Sequence, residues 1–491
     1  MTKIAVDGIA GSEATPVTNA KELKKGITRK LARHAATLQY ESLPPALVEM
    51  TKQCVLDTLG VCVGASTLAP EANIVADYVK DLGGKPESTI LGFGGKAPAP
   101  WAAFANGSLG HMLDYDDVGG GHVSIATIPV AFALAEKVGG VSGRDFIAAI
   151  AAGTDVMTRL CLAIDIPDWA MAEGWFATQL FGFIGGAATA GRILGLDEDQ
   201  MENALGISFN QLSGSRQMAV GAATHMRSMQ AGFSGQGATL AAQLAQRGII
   251  GSKEIIEGRY GLFKSYIRTN TPDWETIGGG LGSCFPLLDT HGFKVWPACG
   301  YTRASNAATL HLRQKFSLQA EAIESITIVG GNSNTQLLCE PIASKRRPQV
   351  SIEGKFSIPF TTAVMMVKGN VSLRDYTDEG LRDPEVLAMA DKISYRADQM
   401  TAVRAAGDYS SASRPTVEIR TRDGRLLAWQ PDSVPGDAKH PVKQEYLESK
   451  FRDCLSFAAH PIPASNVDRA IEMIRDLEHL SDAAEIVALF A

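Results

Sequence analysis

The stretch FGFIGGAATAGRIL, residues 181–194, decides the fold class of this 491-residue chain. Arg192 is its one charged residue, and glycine and alanine leave little side chain on any of its faces. Glycine follows at position 195, as is typical just past the end of a helix. A helix of this composition is expected to be buried, and its small residues allow neighbouring helix axes to approach closely. The stretch therefore predicts a helical bundle.

Helical signals continue on both sides of this stretch. Ser42, followed by Pro44 and Pro45, predicts a helix start, because proline is tolerated in the first helical turn. Asp197 is predicted to cap the helix that follows the deciding stretch, and Gly206 to stop it. The uncharged character of this region favours a buried helix over a membrane span, since glycine, alanine, threonine and glutamine dilute it. Further helices are predicted over residues 47–62, 124–135, 198–205 and 236–247.

The pattern changes near Gly278, where strand signals begin to mix with helices. Ile323–Val329 reads IESITIV, and 416–429 reads as a hairpin with Asp423-Gly424 at its turn. Helical periodicity returns from about residue 444. The predicted organisation is a flexible N-terminal arm (1–26), a helical domain (27–284), an α/β insertion (285–412) and a return to the helical domain (413–491).

Composition excludes several classes of function. Lysine and arginine number 46 against 53 acidic residues, for a net charge of −7, so nothing draws the chain to nucleic acid or to an anionic membrane. The seven cysteines form no C-x-x-C pair, which favours reduced thiols over a disulfide framework or a zinc ribbon. The polar N-terminus contains no apolar signal region. A cytoplasmic protein without nucleic-acid or membrane partners is expected.

The densest polar cluster is HMLDYDDVGGGH, residues 111–122. Asp114 and His122 could form an acid/base couple, because a carboxylate fixes the tautomer of an imidazole and raises its basicity. The alternative is a solvated turn between two helices with aspartates as caps. Asp and His are also metal ligands, but no second spaced cluster completes such a site, so no metal is predicted.

Phosphate-binding and nucleophile motifs are weak in this chain. There is no Walker A or G-x-S-x-G, and GGGLG at 278–282 does not fit the dinucleotide-binding pattern. Cys299 could be a nucleophile or a buried structural thiol. Lys294 lies among apolar residues, as a surface lysine or as an anion clamp in a pocket. Arg303 adds local positive charge and favours carboxylate binding.

Short motifs follow one another in a fixed order from about residue 31 to residue 489. They are LDTLG (56–60), NG (106–107) leading to DYDD (114–117), GWxxT (174–178), LGI (205–207), QAGF (230–233), YGLF (260–263), KxxPxC (294–299) and KFSIPF (355–360). Their order and spacing resemble the MmgE/PrpD superfamily, which includes 2-methylcitrate dehydratase, cis-aconitate decarboxylase and iminodisuccinate epimerase.

The resemblance implies a mainly α protein. A large all-helical domain would carry an inserted, smaller α/β lid domain, with the active site in the cleft between them, and the chain would form a homodimer. Reactions of the superfamily mostly need no metal or organic cofactor, so none is expected. They transfer a proton at a carbon next to a carboxylate, with loss of water or carbon dioxide or with inversion. The expected function is a dehydratase or decarboxylase of a small carboxylic acid.

Residue roles follow from the same resemblance. His122 would transfer the proton, Asp114 would orient the imidazole of His122, and Lys294 would bind a substrate carboxylate. Arg227 stands where the superfamily usually has lysine, and Arg303 where it has histidine, so both would hold anionic groups. The remaining implied substrate-site residues are Trp175, Phe176 and Gln230.

Departures from the superfamily pattern leave other functions open. Phe176 and Gln230 stand where histidines are usual, and Val118 where a threonine is usual. Proton abstraction without elimination would make the protein an epimerase or isomerase. A catalytically inactive paralogue that binds a carboxylate or a partner is favoured by Phe176 and Val118. Retention of Asp114, His122 and Lys294 counts against it.

Overall fold

Helices make up most of the structure, a computed structural model that describes residues 20–164, 174–219, 224–269, 271–330, 333–397 and 414–490. One buried apolar cluster extends from Ile27 to Phe293 and again from Leu447 to Phe490. We call this part the helical unit. Its helices are Ala20–Lys24, Ile27–Thr37, Pro45–Leu68, Pro70–Asp81, Ala99–Met112, Val123–Val138, Gly143–Leu162, Ala177–Ile193, Glu198–Phe209, Met226–Gln246, Trp274–Gly278, Leu287–Thr290, Gln444–Leu455 and Ala464–Arg475. The mainly α fold class is confirmed.

Small residues bring the helices of this unit close together. A Cβ on Gly107 would lie 2.8 Å from the carbonyl oxygen of Ala231, and one on Gly232 would lie 2.5 Å from that of Phe104. The NG and QAGF motifs therefore form the crossing of Ala99–Met112 with Met226–Gln246.

The observed helix ends agree with the predicted ones where a capping side chain determines them. They differ where tertiary packing determines them. Asp197 caps its helix, accepting a 2.8 Å hydrogen bond from the Gln200 amide. Gly206 does not end that helix, which continues to Phe209. A Cβ on Gly206 would lie 2.1 Å from the carbonyl oxygen of Ser252, so the glycine serves close packing. The helix predicted over 236–247 starts ten residues earlier, at Met226.

The strands are β1 (Ser88–Thr89), β2 (Lys96–Ala97), β3 (Asp117–Val118), β4 (Gly292–Phe293), β5 (Ile323–Val329), β6 (Ile393–Arg396), β7 (Thr416–Thr421) and β8 (Leu426–Trp429). The last four form one sheet in the order β6-β5-β7-β8, in which β6 runs parallel to β5 and the β7–β8 hairpin is antiparallel. The predicted strand and the predicted hairpin are both confirmed.

A second buried cluster, from Trp296 to Val434, surrounds this sheet. We call it the α/β unit. The predicted division at residue 412 lies within 398–413, outside the described residues. The hairpin beyond it pairs with β5 (Ile328 opposite Val417), so the α/β unit extends past that division. Its helices are Arg303–Lys315, Ser333–Cys339, Ile342–Arg346, Ser351–Lys355, Ile358–Lys368 and Pro384–Ala390.

The structure describes only part of the predicted N-terminal arm. Residues 1–19 of the predicted arm lie outside the described residues, and Ala20–Lys24 is helical.

Within the described ranges, no single helix has both the length and the apolar character to cross a bilayer. The bent pair Pro45–Leu68 and Pro70–Asp81 meets both criteria together, by length and composition.

Candidate functional site

The polar cluster 111–122 connects two buried helices of the helical unit. The helix Ala99–Met112 ends just before Asp114, whose φ of +48° is unusual for a residue other than glycine. The chain then forms β3, whose Asp117 lies opposite Phe293 of β4. That pairing places Lys294, the next residue along, beside the aspartates.

Asp116 is the centre of the cluster. Its Oδ1 lies 3.0 Å from Nδ1 of His111, and its Oδ2 lies 2.7 Å from Nδ1 of His122. Although burial by itself raises the pKa of Asp116, its contacts with the imidazoles of His111 and His122 and the positive charge of Lys294 hold that pKa well below its ordinary value. Asp116 is therefore a buried carboxylate held ionised by its neighbours.

The carboxylate beside His122 is that of Asp116, and the expected pairing with Asp114 is wrong. Asp114 instead accepts a 2.5 Å hydrogen bond from Nζ of Lys294. Burial alone would raise the pKa of Asp114, but Lys294 and Arg227 lower it. Asp114 and Asp116 both face Lys294, so the two carboxylates share one buried ammonium group.

Lys294 is fully buried, with 0% of its side chain exposed. Its Nζ also donates to the carbonyl oxygen of Asp114 at 3.0 Å and lies 3.3 Å from Oδ1 of Asp116. Burial opposes the charge, but the two carboxylates raise the pKa of Lys294 above its ordinary value. This placement differs from the expected substrate clamp: the lysine lies behind the cavity wall and neutralises the aspartates.

The tautomer of His122 follows from its surroundings. Its Nδ1 lies 2.8 Å from the carbonyl oxygen of Asp117, besides the 2.7 Å contact with Asp116. Both neighbours are acceptors, so Nδ1 carries the hydrogen and Nε2 is left for the cavity. The side chain is 18% exposed, and it lines the cavity described next.

Two glycines shape the loop before His122. Gly119 has φ +144°, and a Cβ there would lie 2.6 Å from the carbonyl oxygen of Thr290. Gly121 has φ +129°, and a Cβ there would lie 3.2 Å from Sγ of Cys161. The glycines therefore permit a path that other residues would strain.

A cavity of about 410 Å³ lies where the two units meet. His122 and Phe176 line it from the helical unit, and Arg303 and Phe356 from the α/β unit. Its size is within the range of about 300–1,000 Å³ that is usual for small-molecule sites. The cavity is therefore the candidate active site.

Arg227 places its positive charge at this cavity. The residue is 5% exposed, and its guanidinium carbon lies 4.6 Å from the ring centroid of Phe176 and 5.2 Å from that of Phe356. Its Nε and Nη1 have no hydrogen-bond partner, and no carboxylate pairs with it among the residues that the structure describes. Phe176 thus makes a cation–π contact with the guanidinium group that would bind an anion.

The other predicted residues lie at different depths. Arg303 lines the cavity and pairs with Asp437 at 2.8 Å. Gln230 is fully buried and donates to the backbone carbonyl oxygen of Arg227 at 3.2 Å. Trp175 packs against Tyr266, with ring centroids 5.4 Å apart, and does not line the cavity.

Sequence reasoning missed the roles of Asp116 and of two arginines. Arg216 and Arg414 line the cavity but belong to none of the recognised motifs. Only their positive charge could have indicated a role in the site, and surface arginines carry the same charge. The position of Asp116 could have indicated its role, because it lies two residues from Asp114 and both side chains therefore could face one partner.

His111, Asp116 and His122 present ligand atoms within 4.8 Å of one another, a spacing that a metal ion could use. Nδ1 of each imidazole already contacts Asp116. A cation there would also meet the ammonium group of Lys294, 3.3 Å from Asp116. The arrangement fits proton transfer better than metal binding.

His291 lies behind the cluster and gives a pH-dependent prediction. It is buried, with Nε2 3.2 Å from Sγ of Cys54 and Nδ1 3.7 Å from Asp117. Burial, together with the charge of His122, lowers the pKa of His291 from 6.5 to about 3. Below pH 6.5 the unfolded chain therefore binds a proton that the folded chain does not bind until about pH 3.

His291→Gln removes the contribution of this histidine to the pH dependence of stability. In the wild type, that contribution makes the free energy of unfolding fall as the pH drops from 6.5 towards 3, so the variant should show a shallower pH dependence there. The difference in slope is expected to reach up to about 1.4 kcal/mol per pH unit. Urea unfolding at pH 4.5–7.5 measures it. The exposed His460→Gln should keep the wild-type slope, and a wild-type slope in His291→Gln would contradict the prediction.

Comparison with known proteins covers nearly the whole chain. The model of the MmgE/PrpD N-terminal domain matches residues 29–275, and that of the MmgE/PrpD C-terminal domain matches residues 296–479. Cis-aconitate decarboxylase of Aspergillus terreus is 26% identical over 488 residues, covering 95% of this chain and 96% of that relative. The human cis-aconitate decarboxylase is 26% identical over 481 residues, covering 95% and 94%. The cis-aconitate decarboxylase-like protein oryM of Aspergillus oryzae is 23% identical over 491 residues, covering 95% and 97%.

Proposed function

Since the chain belongs to the MmgE/PrpD family, we propose that it is a lyase that decarboxylates a small carboxylic acid through proton transfer next to a carboxylate. The observation that carries the proposal is the Asp116–His122 couple at a cavity that Arg227 also lines, with Nε and Nη1 free of hydrogen-bond partners. The names of the relatives favour loss of carbon dioxide over loss of water.

Arg227 binds the carboxylate that stays on the substrate. Its two unpartnered nitrogens can donate to that group, and cation–π contacts with Phe176 and Phe356 hold the guanidinium group in place. The same cation stabilises the enolate-like charge that develops when carbon dioxide leaves. The arginine therefore both binds the substrate and lowers the barrier.

His122 supplies the proton. The bond between the substrate carbon and the leaving carboxyl group breaks, and its electron pair is delocalised toward the retained carboxylate. The protonated imidazole then donates its Nε2 hydrogen to that carbon. Asp116 remains ionised and holds Nδ1, so it is a positioning residue. A proton from solvent restores the imidazole, which closes the cycle.

Arg227→Gln tests the binding step and the function together. Charge-assisted hydrogen bonds contribute about 1.5–3 kcal/mol each, so binding of the carboxylate should weaken by about 10- to 100-fold. The wild-type protein and the variant would be incubated with citrate, methylcitrate, cis-aconitate, malates and tartrates. Release of carbon dioxide and the appearance of product signals in NMR spectra report the reaction.

Arg247→Gln is the matched control, because Arg247 follows the same helix at its exposed end. It should behave as the wild type. Absence of carbon dioxide release from every acid in the panel would count against a decarboxylase, and release unchanged in Arg227→Gln would remove Arg227 from the site. Loss of water instead would move the assignment to a dehydratase.

A further inference from the structure

Two cysteines that line the cavity lie in different electrostatic surroundings. Cys299 and Cys161 are only 7% and 4% exposed. Burial raises the pKa of the Cys299 thiol, the charge of Asp114 raises it further, and the charges of Arg227 and Lys294 lower it. Cys299 therefore lies on the side of the cavity where Arg227 places its guanidinium group.

Cys161 lies where these charges have no influence. Burial raises the pKa of its thiol as well, but no charged group of the described residues contributes to that shift. Cys161 and Leu162 are the last two residues of the helix Gly143–Leu162, and both line the cavity. This helix end therefore gives the cavity an uncharged, apolar wall.

The glycine loop before His122 lies directly on this helix end. A Cβ on Gly121 would lie 3.2 Å from Sγ of Cys161, and one on Gly120 would lie 3.5 Å from Cδ2 of Leu162. His122 follows Gly121 in the chain and also lines the cavity. The apolar wall is therefore adjacent to the residue proposed to transfer the proton.

Polar groups beside the glycine loop offer little to an anionic substituent. The hydroxyl group of Thr290 donates to the carbonyl oxygen of Pro286 at 2.8 Å, and Oγ1 of Thr178 accepts from the amide of His122 at 3.3 Å. Asp289, next to Thr290, lines the cavity with a negative charge. A carboxylate placed here would lose its hydrogen bonds to water without full replacement, whereas an alkyl group would gain from burial.

We infer that the helix end formed by Cys161 and Leu162 binds an alkyl group of the substrate. The inference rests on the proposed function and specifies its substrate class as an alkyl-substituted carboxylic acid. The retained carboxylate lies at Arg227, and the alkyl group extends past His122 onto the apolar wall. Each buried methylene group should increase affinity about fourfold.

Two acids of the same shape test the alkyl site directly. Isobutylsuccinate and tricarballylate share a succinate core, and their third branch ends in an isopropyl group or in a carboxylate. In isothermal titration, the wild-type protein should bind isobutylsuccinate about tenfold or more tightly than tricarballylate. Leu162→Asn replaces the leucine by a polar side chain of similar shape and should reduce this preference to about threefold or less.

Further variants keep the test decisive. Cys161→Ser places a hydroxyl group on the same wall and should also reduce the preference, whereas Leu162→Met keeps the wall apolar and should retain it. Leu426→Asn changes an exposed leucine of β8 and should behave as the wild type. The inference is overturned if the wild-type protein binds tricarballylate as tightly as isobutylsuccinate, or if Leu162→Asn and Cys161→Ser both retain the full preference.

The binding measurement needs no turnover, so the two proposals can fail separately. A preference for isobutylsuccinate that depends on Leu162, without carbon dioxide release from any acid, would leave the alkyl site standing and remove the decarboxylase. Carbon dioxide release without that preference would do the reverse.

Discussion

Replacing His122 with alanine is expected to lower turnover by about 10²- to 10⁴-fold, the contribution usual for a positioned general acid or base. The reason is geometric: His122 is the imidazole that lines the cavity, and Asp117 and Asp116 hold its Nδ1 so that Nε2 is left for the substrate. Substrate binding should change little, because Arg227 remains. Steady-state kinetics would therefore show a loss in kcat with KM nearly unchanged.

Asp116→Asn and His440→Ala complete that experiment. Asparagine removes the charge beside Nδ1 but keeps the shape, so Asp116→Asn should lower kcat and shift the pH dependence of kcat. His440 is exposed and its replacement should have no effect. Turnover by His122→Ala at the wild-type rate would remove His122 from the mechanism.

Lys294→Met is expected to lower the free energy of unfolding by about 3–5 kcal/mol, because it leaves two buried carboxylates without their cation. Asp114 lies 2.5 Å and Asp116 3.3 Å from the ammonium nitrogen, and no solvent reaches it. A lysine that served only as a substrate clamp would affect binding and leave stability unchanged. Urea unfolding of the protein without ligand distinguishes the two roles.

Matched variants separate this effect from the loss of any lysine. Lys253→Met breaks a surface ion pair in which Nζ of Lys253 lies 2.8 Å from Oε2 of Glu202. The substitution should lower the free energy of unfolding by about 0–1 kcal/mol. Adding Asp114→Asn to Lys294→Met should restore part of the lost stability, because one of the unpaired charges is then removed. Equal stability of Lys294→Met and the wild type would contradict the buried network.

Much of the fold could be predicted because local chemistry decides it. Strand β5 follows from the composition of IESITIV, and the hairpin of β7 and β8 from its Asp423-Gly424 turn. The start of Met226–Gln246 could not be predicted in the same way. Buried polar residues such as Arg227 and Gln230 interrupt its apolar periodicity, and Arg227 contacts the rings of Phe176 and Phe356, which are distant in the sequence.

The candidate site was predictable in its members more than in its pairings. The cluster 111–122, Arg227 and Arg303 were recognised as chemistry-bearing, and His122, Arg227 and Arg303 line the cavity. Which carboxylate contacts His122 depends on the turn at Asp114 and on the β3–β4 register, and these are set by contacts across 180 residues. Arg414 could not be found for the same reason.

One measurement tests the central claim most directly. The wild-type protein and His122→Ala would each be incubated with cis-aconitate and the other acids in deuterated buffer and followed by proton NMR. We predict a decarboxylated product carrying one deuterium, in a single stereochemical position, at the carbon that accepts the proton, with formation slowed about 10²- to 10⁴-fold in His122→Ala. Product formed equally fast by both proteins, or deuterium distributed over both positions, would contradict proton transfer from His122.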